Sequence, residues 1–262
     1  MEDGQHGLAA EAAKEEDSID MDLEICVDSV ESAVAAANGG AERVELCSAL
    51  SEGGITPSAG LIESVRALAN IQLFVIIRPR GGNFVYSDLE LAVMRKDILD
   101  SKTRGVDGVV LGVLTRDNVV DRAQTRELVE LARPLQVTFH RALDVCRDLD
   151  RALEDVIACG ADRVLTSGGK ADAVKGMSAI ARLQQRAANR IRIMAGGGLR
   201  VSNVRDVVLG TGVRDVHTSL GANGTSKASD VGAEIHMLRG DCSSFVVSER
   251  DVRAFKSVMR EI

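Results

Sequence analysis

Two apolar runs of this chain carry the same doublet, Glu24-x-Cys26 and Glu45-x-Cys47. Side chains two residues apart share one face of a strand, so each run would present a carboxylate and a thiol together. Carboxylates supply acid–base groups, and thiolates are soft metal ligands. Neighbouring strands lie about 4.8 Å apart, close enough for two thiols at similar heights to close around a single soft ion. A thiolate pair suits Cu(I) better than Mg²⁺ or Ca²⁺. Spacing alone leaves plainer readings open. Cysteine packs readily in cores, and either glutamate could be half of an ion pair with Arg43, Arg78 or Arg163.

Further groups fall at the ends of other apolar runs. Leu73–Ile77 leads into Arg78, Leu135–Phe139 into His140, and Val164–Thr166 into Ser167-Gly168-Gly169. Ile191–Met194 is followed by Gly196-Gly197-Gly198, and Val213–His217 ends on His217. Backbone N–H groups of such glycine runs, near helix starts, are suited to binding an anion. With no lysine at Walker spacing and no acidic ribose partner, a nucleotide site is not indicated. A second chemistry is therefore conceivable. Glu24, Glu45 and His140 would be acid–base residues, and Arg78, Ser167, Gly196, Gly197, Gly198 and His217 would hold a small anionic ligand. The plainer reading of each histidine is a hydrogen-bonded fixture, and of each glycine run a tight turn.

The elements that must position these groups are announced by a repeat. Gly, then Ala or Val, two residues, then Val recurs at Gly40–Val44, Gly105–Val109, Gly160–Val164 and Gly212–Val216. Each copy follows a helix-like stretch and opens an apolar run, so the glycine reads as a helix-ending residue and the valine as the first buried strand residue. One further strand-like run lies between successive copies. The copies are then every second strand of an eight-stranded parallel barrel with its helices outside, a single-domain (β/α)8 TIM-type barrel of class α/β. In such barrels the chemistry lies at the C-terminal strand ends. Strand parity sends Leu23, Ile25, Val44 and Leu46 outward to the helices, leaving Glu24, Cys26, Glu45 and Cys47 inward, with Thr138, His140, Ser167, His217 and Ser219 on the same interior face. Remaining strands and helices follow from the same signals: a strand at Leu23–Val27 with a capped helix to Ala37, a strand at Val44–Cys47, one at Val109–Leu111, a helix from Ser87 to about Arg104, and a closing helix near Ser248–Glu261. Gly221–Ser244, rich in Gly, Ser and Asp, shows no clear periodicity.

Composition narrows the partners. With 262 residues and 45% hydrophobic composition, the chain can bury a full core. A net charge of −7, 2% aromatic residues and no Trp argue against a nucleic-acid or anionic-membrane surface. No apolar run reaches the roughly 20 residues of a membrane span. Residues 1–20 read as a disordered acidic leader, without the apolar core of a secretory signal or the basic character of a transit peptide, and residues 21–262 as the barrel domain. Five cysteines with no short-spaced pair fit reduced thiols in a cytoplasmic protein. Cys146, Cys159 and Cys242 read as structural.

Taken together the motifs resemble one family. Glu24-Ile-Cys-Val-Asp-Ser29, the run from Gly39 to Ser48, Leu50-Ser-Glu-Gly-Gly54 with Thr56-Pro57-Ser58, Ile77-Arg-Pro-Arg-Gly-Gly82, Thr138-Phe-His-Arg-Ala142 and Leu165-Thr-Ser-Gly168 are similar to those of the CutC copper homeostasis family. The similarity runs from about Leu23 to Ser219 and loosens after Leu220. It implies a cytoplasmic, homo-oligomeric barrel, a dimer or tetramer, that handles the copper ion, with Cu(I) bound by Cys26 and Cys47. The alternative is a barrel enzyme acting on a small anionic substrate.

Overall fold

Gly40, Gly105, Gly160 and Gly212, the four repeat glycines, have φ of +89°, +69°, +84° and +71°. That left-handed backbone is open to glycine at little steric cost, and it turns each helix end into the following strand. In the computed structural model, which describes residues 21–220, 222–225 and 243–262, the repeat is the α-to-β joint of a closed parallel barrel. The leader at 1–20 and Cys242 lie outside the described residues.

Eight strands close in sequence order: β1 (Asp22–Val27), β2 (Arg43–Leu46), β3 (Gln72–Ile76), β4 (Gly108–Leu111), β5 (Gln136–Phe139), β6 (Arg163–Thr166), β7 (Arg192–Gly196) and β8 (Asp215–Thr218). β8 pairs with β1, and Glu24 stands opposite His217 in that register. Helices α1 (Val30–Asn38), α2 (Ala59–Leu68), α3 (Asp88–Thr103), α4 (Arg122–Ala132), α5 (Leu149–Cys159), α6 (Ala173–Ala187), α7 (Val204–Thr211) and α8 (Glu249–Arg260) alternate with the strands. Ser29 caps α1, and Ser87 with Glu90 forms a capping box on α3. Each satisfies N–H groups that a helix start otherwise leaves free. No helix among the described residues is long and apolar enough to cross a membrane.

Every barrel strand starts or ends one or two residues from the apolar run that marks it, and the larger differences have identifiable causes. β7 runs on to Gly196, because an inward glycine there lets the strand pack against Leu165 and His217 and keep its ladder with β8. β8 begins at Asp215, where its pairing with β1 and β7 starts, two residues after the Val213 that opens the apolar run, and it extends to Thr218. β9 (Ala222–Thr225) and β10 (Ser243–Val246) pair antiparallel at the edges of a stretch whose composition predicts no element. Backbone pairing alone defines them, so no hydrophobic alternation announces them.

Parity governs the two cores. Leu23, Ile25, Val44, Leu46, Leu73 and Val75 face the helices, while Cys26, Cys47, Phe74, Ile76 and Val110 form a separate apolar cluster inside the barrel. Below that cluster the interior is charged. Arg43 and Arg163 lie over the Phe74 ring at 5.1 and 5.6 Å, and Asp215 sits 3.7 and 3.6 Å from them. Burial pushes the Asp215 carboxyl up and the Arg163 guanidinium down, the signature of charges taken out of water and held mainly by one another.

Candidate metal and ligand site at the barrel mouth

The seam between β8 and β1 supplies the base of the site. Glu24, fully buried, holds Arg43 Nε at 2.5 Å with one carboxylate oxygen and His217 Nδ1 at 2.7 Å with the other. Burial would raise its pKa, but the Arg43 charge and the His217 hydrogen bond outweigh that and bring it to about 2. The other ring nitrogen of His217 lies 3.6 Å from Glu45. Burial alone would push the imidazole down, yet the Glu24 hydrogen bond and the charges of Glu45 and Glu24 leave it above its ordinary value. For Glu45 the balance goes the other way: burial outweighs the His217 charge and raises the carboxyl.

Cys26 stands opposite Glu45 in the β1–β2 register, and its sulfur is 3.7 Å from that of Cys47. That spacing excludes a disulfide, whose sulfurs are about 2.05 Å apart. Two sulfurs on arms of about 2.3 Å at a tetrahedral angle would be about 3.8 Å apart, so the pair fits one soft ion. The Cys47 hydrogen bond, burial and the Glu45 charge together hold the Cys26 thiol well above its usual pKa. Cys26, Glu45 and His217 also offer one ligand atom each within 4.8 Å of one another.

Above this base opens a cavity of about 400 Å³, lined by Cys26, Glu45 and His217 below and by Arg78, Phe84, His140, Arg141 and Asp144 around the wall. Of the residues singled out in the sequence, Cys26, Glu45, Arg78, His140 and His217 share it. Cys47 and Glu24 do not line it: both are fully buried, with the Cys47 thiol turned to the Val27 carbonyl at 3.5 Å. A larger depression, about 610 Å³, lies at the opposite barrel end among Asp162, Gln184, Arg190 and Arg214, but it gathers no comparable set of chemical groups.

Two wall residues that look alike in sequence differ in what they have left to offer. Both Nη atoms of Arg78 donate to backbone carbonyls, those of Glu52, Gly54 and Gly82 at 2.7 to 2.9 Å. It therefore ties the loops after β2 and β3 together. His140 accepts the Ala142 N–H at Nδ1, while its Nε2 is buried without a hydrogen-bond partner among the described residues. Burial, with Arg78 beside it, takes its pKa to about 3, so the ring is neutral and Nε2 carries the proton.

The glycine loops lie to one side. Asp144 accepts the N–H groups of Ser167 and Gly169 and the Thr166 hydroxyl, at 2.5 to 3.0 Å, and pairs with Arg141 at 2.8 Å. Arg141 also reaches the Ser167 hydroxyl, so an internal carboxylate takes the place there that an anionic ligand would. Gly197 packs against Ser167 and Arg141, with Gly196 against His217 and Gly198 against Asp172. Arg141 and Asp144 escape the sequence reading, although their position directly after β5, at a strand's C-terminal end, is the signal that could have found them. Cys146 and Cys159 are free thiols outside the cavity lining.

Comparison with known proteins matches this framework. The CutC family model covers residues 21–222. The copper homeostasis protein cutC homolog of Homo sapiens is 49% identical over 197 residues, 75% of this chain and 72% of that protein. The crystal structure of CutC from Streptococcus agalactiae superposes with a TM-score of 0.73 at 35% identity, covering 76% of this chain and 98% of that one. Thiamine phosphate pyrophosphorylase from Pyrococcus furiosus, at 17% identity and a TM-score of 0.58 over 93% of this chain and 98% of its own, shares the barrel fold.

Proposed function

The chain belongs to the CutC family, and from that premise we propose that it acts in copper homeostasis by binding Cu(I) as cargo through the thiolates of Cys26 and Cys47. The observation that carries this reading is the 3.7 Å separation of the two sulfurs, one on β1 and the other just past the end of β2. Phe74, Ile76 and Val110 pack around the two cysteines as an apolar surround on the interior side, which suits a soft ion. Four thiols among the described residues are free, which fits a reducing cytoplasm, and the reading includes a homo-oligomer of two or four copies.

The test is titration of the reduced protein with Cu(I) against a competing chelator. One equivalent bound by the wild type and none by Cys26→Ser or Cys47→Ser, with melting temperatures little changed, would support the reading. Full-strength binding by the double variant would overturn it. Light scattering of the same samples reads the oligomer.

One observation favours a second reading, a barrel enzyme on a small ligand: His140 lines the cavity, and its Nε2–H has no hydrogen-bond partner among the described residues. Glu45 and His140 would then be the acid–base pair, with Glu24 acting through His217. Of the anion-binding set, Arg78 and Ser167 are engaged internally, so a ligand offering a neutral acceptor suits the cavity better. Ligand binding that is lost with His140→Ala and indifferent to both cysteines would favour this reading.

A further inference from the structure

Cys26 has a second set of neighbours. We propose that Cys26, Glu45 and His217 form a three-ligand site for a divalent cation of the zinc class, with a fourth coordination position open to the cavity. The inference does not rest on the copper reading, although the two draw on the same Cys26.

Donor chemistry is the first argument. One thiolate, one imidazole and one carboxylate are the mixed set that borderline divalent ions accept, whereas Cu(I) selects sulfur. The two anionic ligands would neutralise a dication. Ligand arms of about 2.0 to 2.3 Å at tetrahedral angles put donor atoms about 3.3 to 3.8 Å apart. The three atoms here lie within 4.8 Å of one another, so side-chain adjustments of about an ångström would close the set.

Orientation is the second. Metal-bound histidines characteristically donate their other N–H to a carboxylate, which fixes the tautomer and aims the free nitrogen. Glu24 does this to His217 at 2.7 Å, and Arg43 fixes Glu24 in turn at 2.5 Å. The nitrogen left over is the one that faces Glu45.

Access is the third. All three ligands line the 400 Å³ cavity. Three protein ligands with a fourth position facing a cavity is the arrangement of sites where a metal meets water or substrate, in contrast to closed structural sites.

Cobalt(II) alone, titrated into the reduced full chain, tests this. One equivalent should give the visible bands of a four-coordinate site with charge-transfer absorption from a single thiolate, and Zn²⁺ should displace both. Cys26→Ser should abolish the charge-transfer band, His217→Ala and Glu45→Gln should each weaken binding at least about tenfold, and Cys47→Ser should change it by less than about threefold. Far-UV dichroism and melting curves establish that each variant is folded, and the wild-type spectrum is decisive even where one is not. Absence of a thiolate–cobalt band in the wild type would overturn the proposal. So would loss of the band in Cys47→Ser, which would put the ion between the two sulfurs, or unchanged affinity in folded His217→Ala and Glu45→Gln. Cu(I) titration of Cys47→Ser reports separately on the copper reading.

Discussion

Glu24 on β1 and His217 on β8 meet across the seam that closes the barrel, Oε1 of one 2.7 Å from Nδ1 of the other although 193 residues separate them in the chain. The contact links the charged barrel interior to the mouth. Below, Glu24 pairs with Arg43, which also lies 3.6 Å from Asp22 and 3.7 Å from Asp215. Above, His217 reaches Glu45 at the cavity floor.

Glu24→Gln should therefore destabilise the fold, by about 3 kcal/mol, as expected when one partner of a buried pair is neutralised. The same figure follows from the carboxyl's pKa, about 2 in the fold against 4.5 unperturbed, at about 1.4 kcal/mol per unit. A depressed folded value means stabilisation that is complete above pH 4.5 and lost as pH falls towards 2. Urea unfolding across that window should show the wild-type slope shrink in Glu24→Gln, and equal slopes in the two proteins would contradict the assignment.

His140 also makes stability fall on acidification, but by staying neutral where Glu24 stays charged. Its folded pKa of about 3 against 6.5 means that the unfolded chain takes up a proton between those values while the buried ring, facing Arg78 and Asp144, stays neutral. Stability should be full above pH 6.5 and fall as pH drops towards 3, by up to about 1.4 kcal/mol per pH unit from this residue. In His140→Asn the amide oxygen can still accept the Ala142 N–H, but no proton is taken up. The variant should lose less stability than the wild type between pH 6 and 4, as denaturant midpoints would show.

How far the sequence carried the reading depends on what kind of fact each feature is. Faces were legible: Glu24 and Cys26 alternate with Leu23 and Ile25, and parity alone sends them into the barrel. The repeat glycines likewise announced their joints, because few other residues hold φ near +80° at little steric cost. Depth was not legible. Periodicity does not say that Cys47 lies beneath the cavity floor while Cys26 opens onto it, since the two apolar runs give both cysteines the same inward parity. Nor could spacing reveal that Arg78 is engaged by the carbonyls of Glu52, Gly54 and Gly82, because its partners are backbone atoms whose position depends on loop shape. Asp144 belongs to the same class: its role depends on the β5 and β6 loops meeting in space.

Gly112, just past β4, is required by the His140 ring. A Cβ built there would stand 2.6 Å from two ring atoms and 3.0 Å from Ala142 Cβ. Gly112→Ala should cost about 1 to 3 kcal/mol by overpacking, through displacement of the imidazole. The cost should be largely relieved when His140 is also Ala, so the double variant should be more stable than the sum of single effects predicts by about 1 kcal/mol or more. Additive effects in chemical denaturation would mean the ring is not what Gly112 accommodates.

Asp144 yields a test in which function is gained. Its carboxylate fills the cradle formed by the Ser167 and Gly169 N–H groups, the Thr166 hydroxyl and Arg141, with the side chain only 7% exposed. Asp144→Ala should leave those donors unpaired and Arg141 held only by the Ser167 hydroxyl, at a cost of about 2 to 4 kcal/mol for charged hydrogen bonds lost around a largely buried carboxylate. The vacated space then offers positive charge and aligned N–H groups, the ingredients of an anion site. Millimolar inorganic phosphate should raise the melting temperature of Asp144→Ala more than that of the wild type, because a ligand bound only by the folded state stabilises it by mass action. Asp144→Asn serves as the intermediate case: it keeps one acceptor and fills the space, so it should lose less stability and respond less to phosphate. If phosphate shifts the wild type and Asp144→Ala equally, the carboxylate is not standing where an anion would bind, and the loop after β6 owes its shape to turn geometry alone.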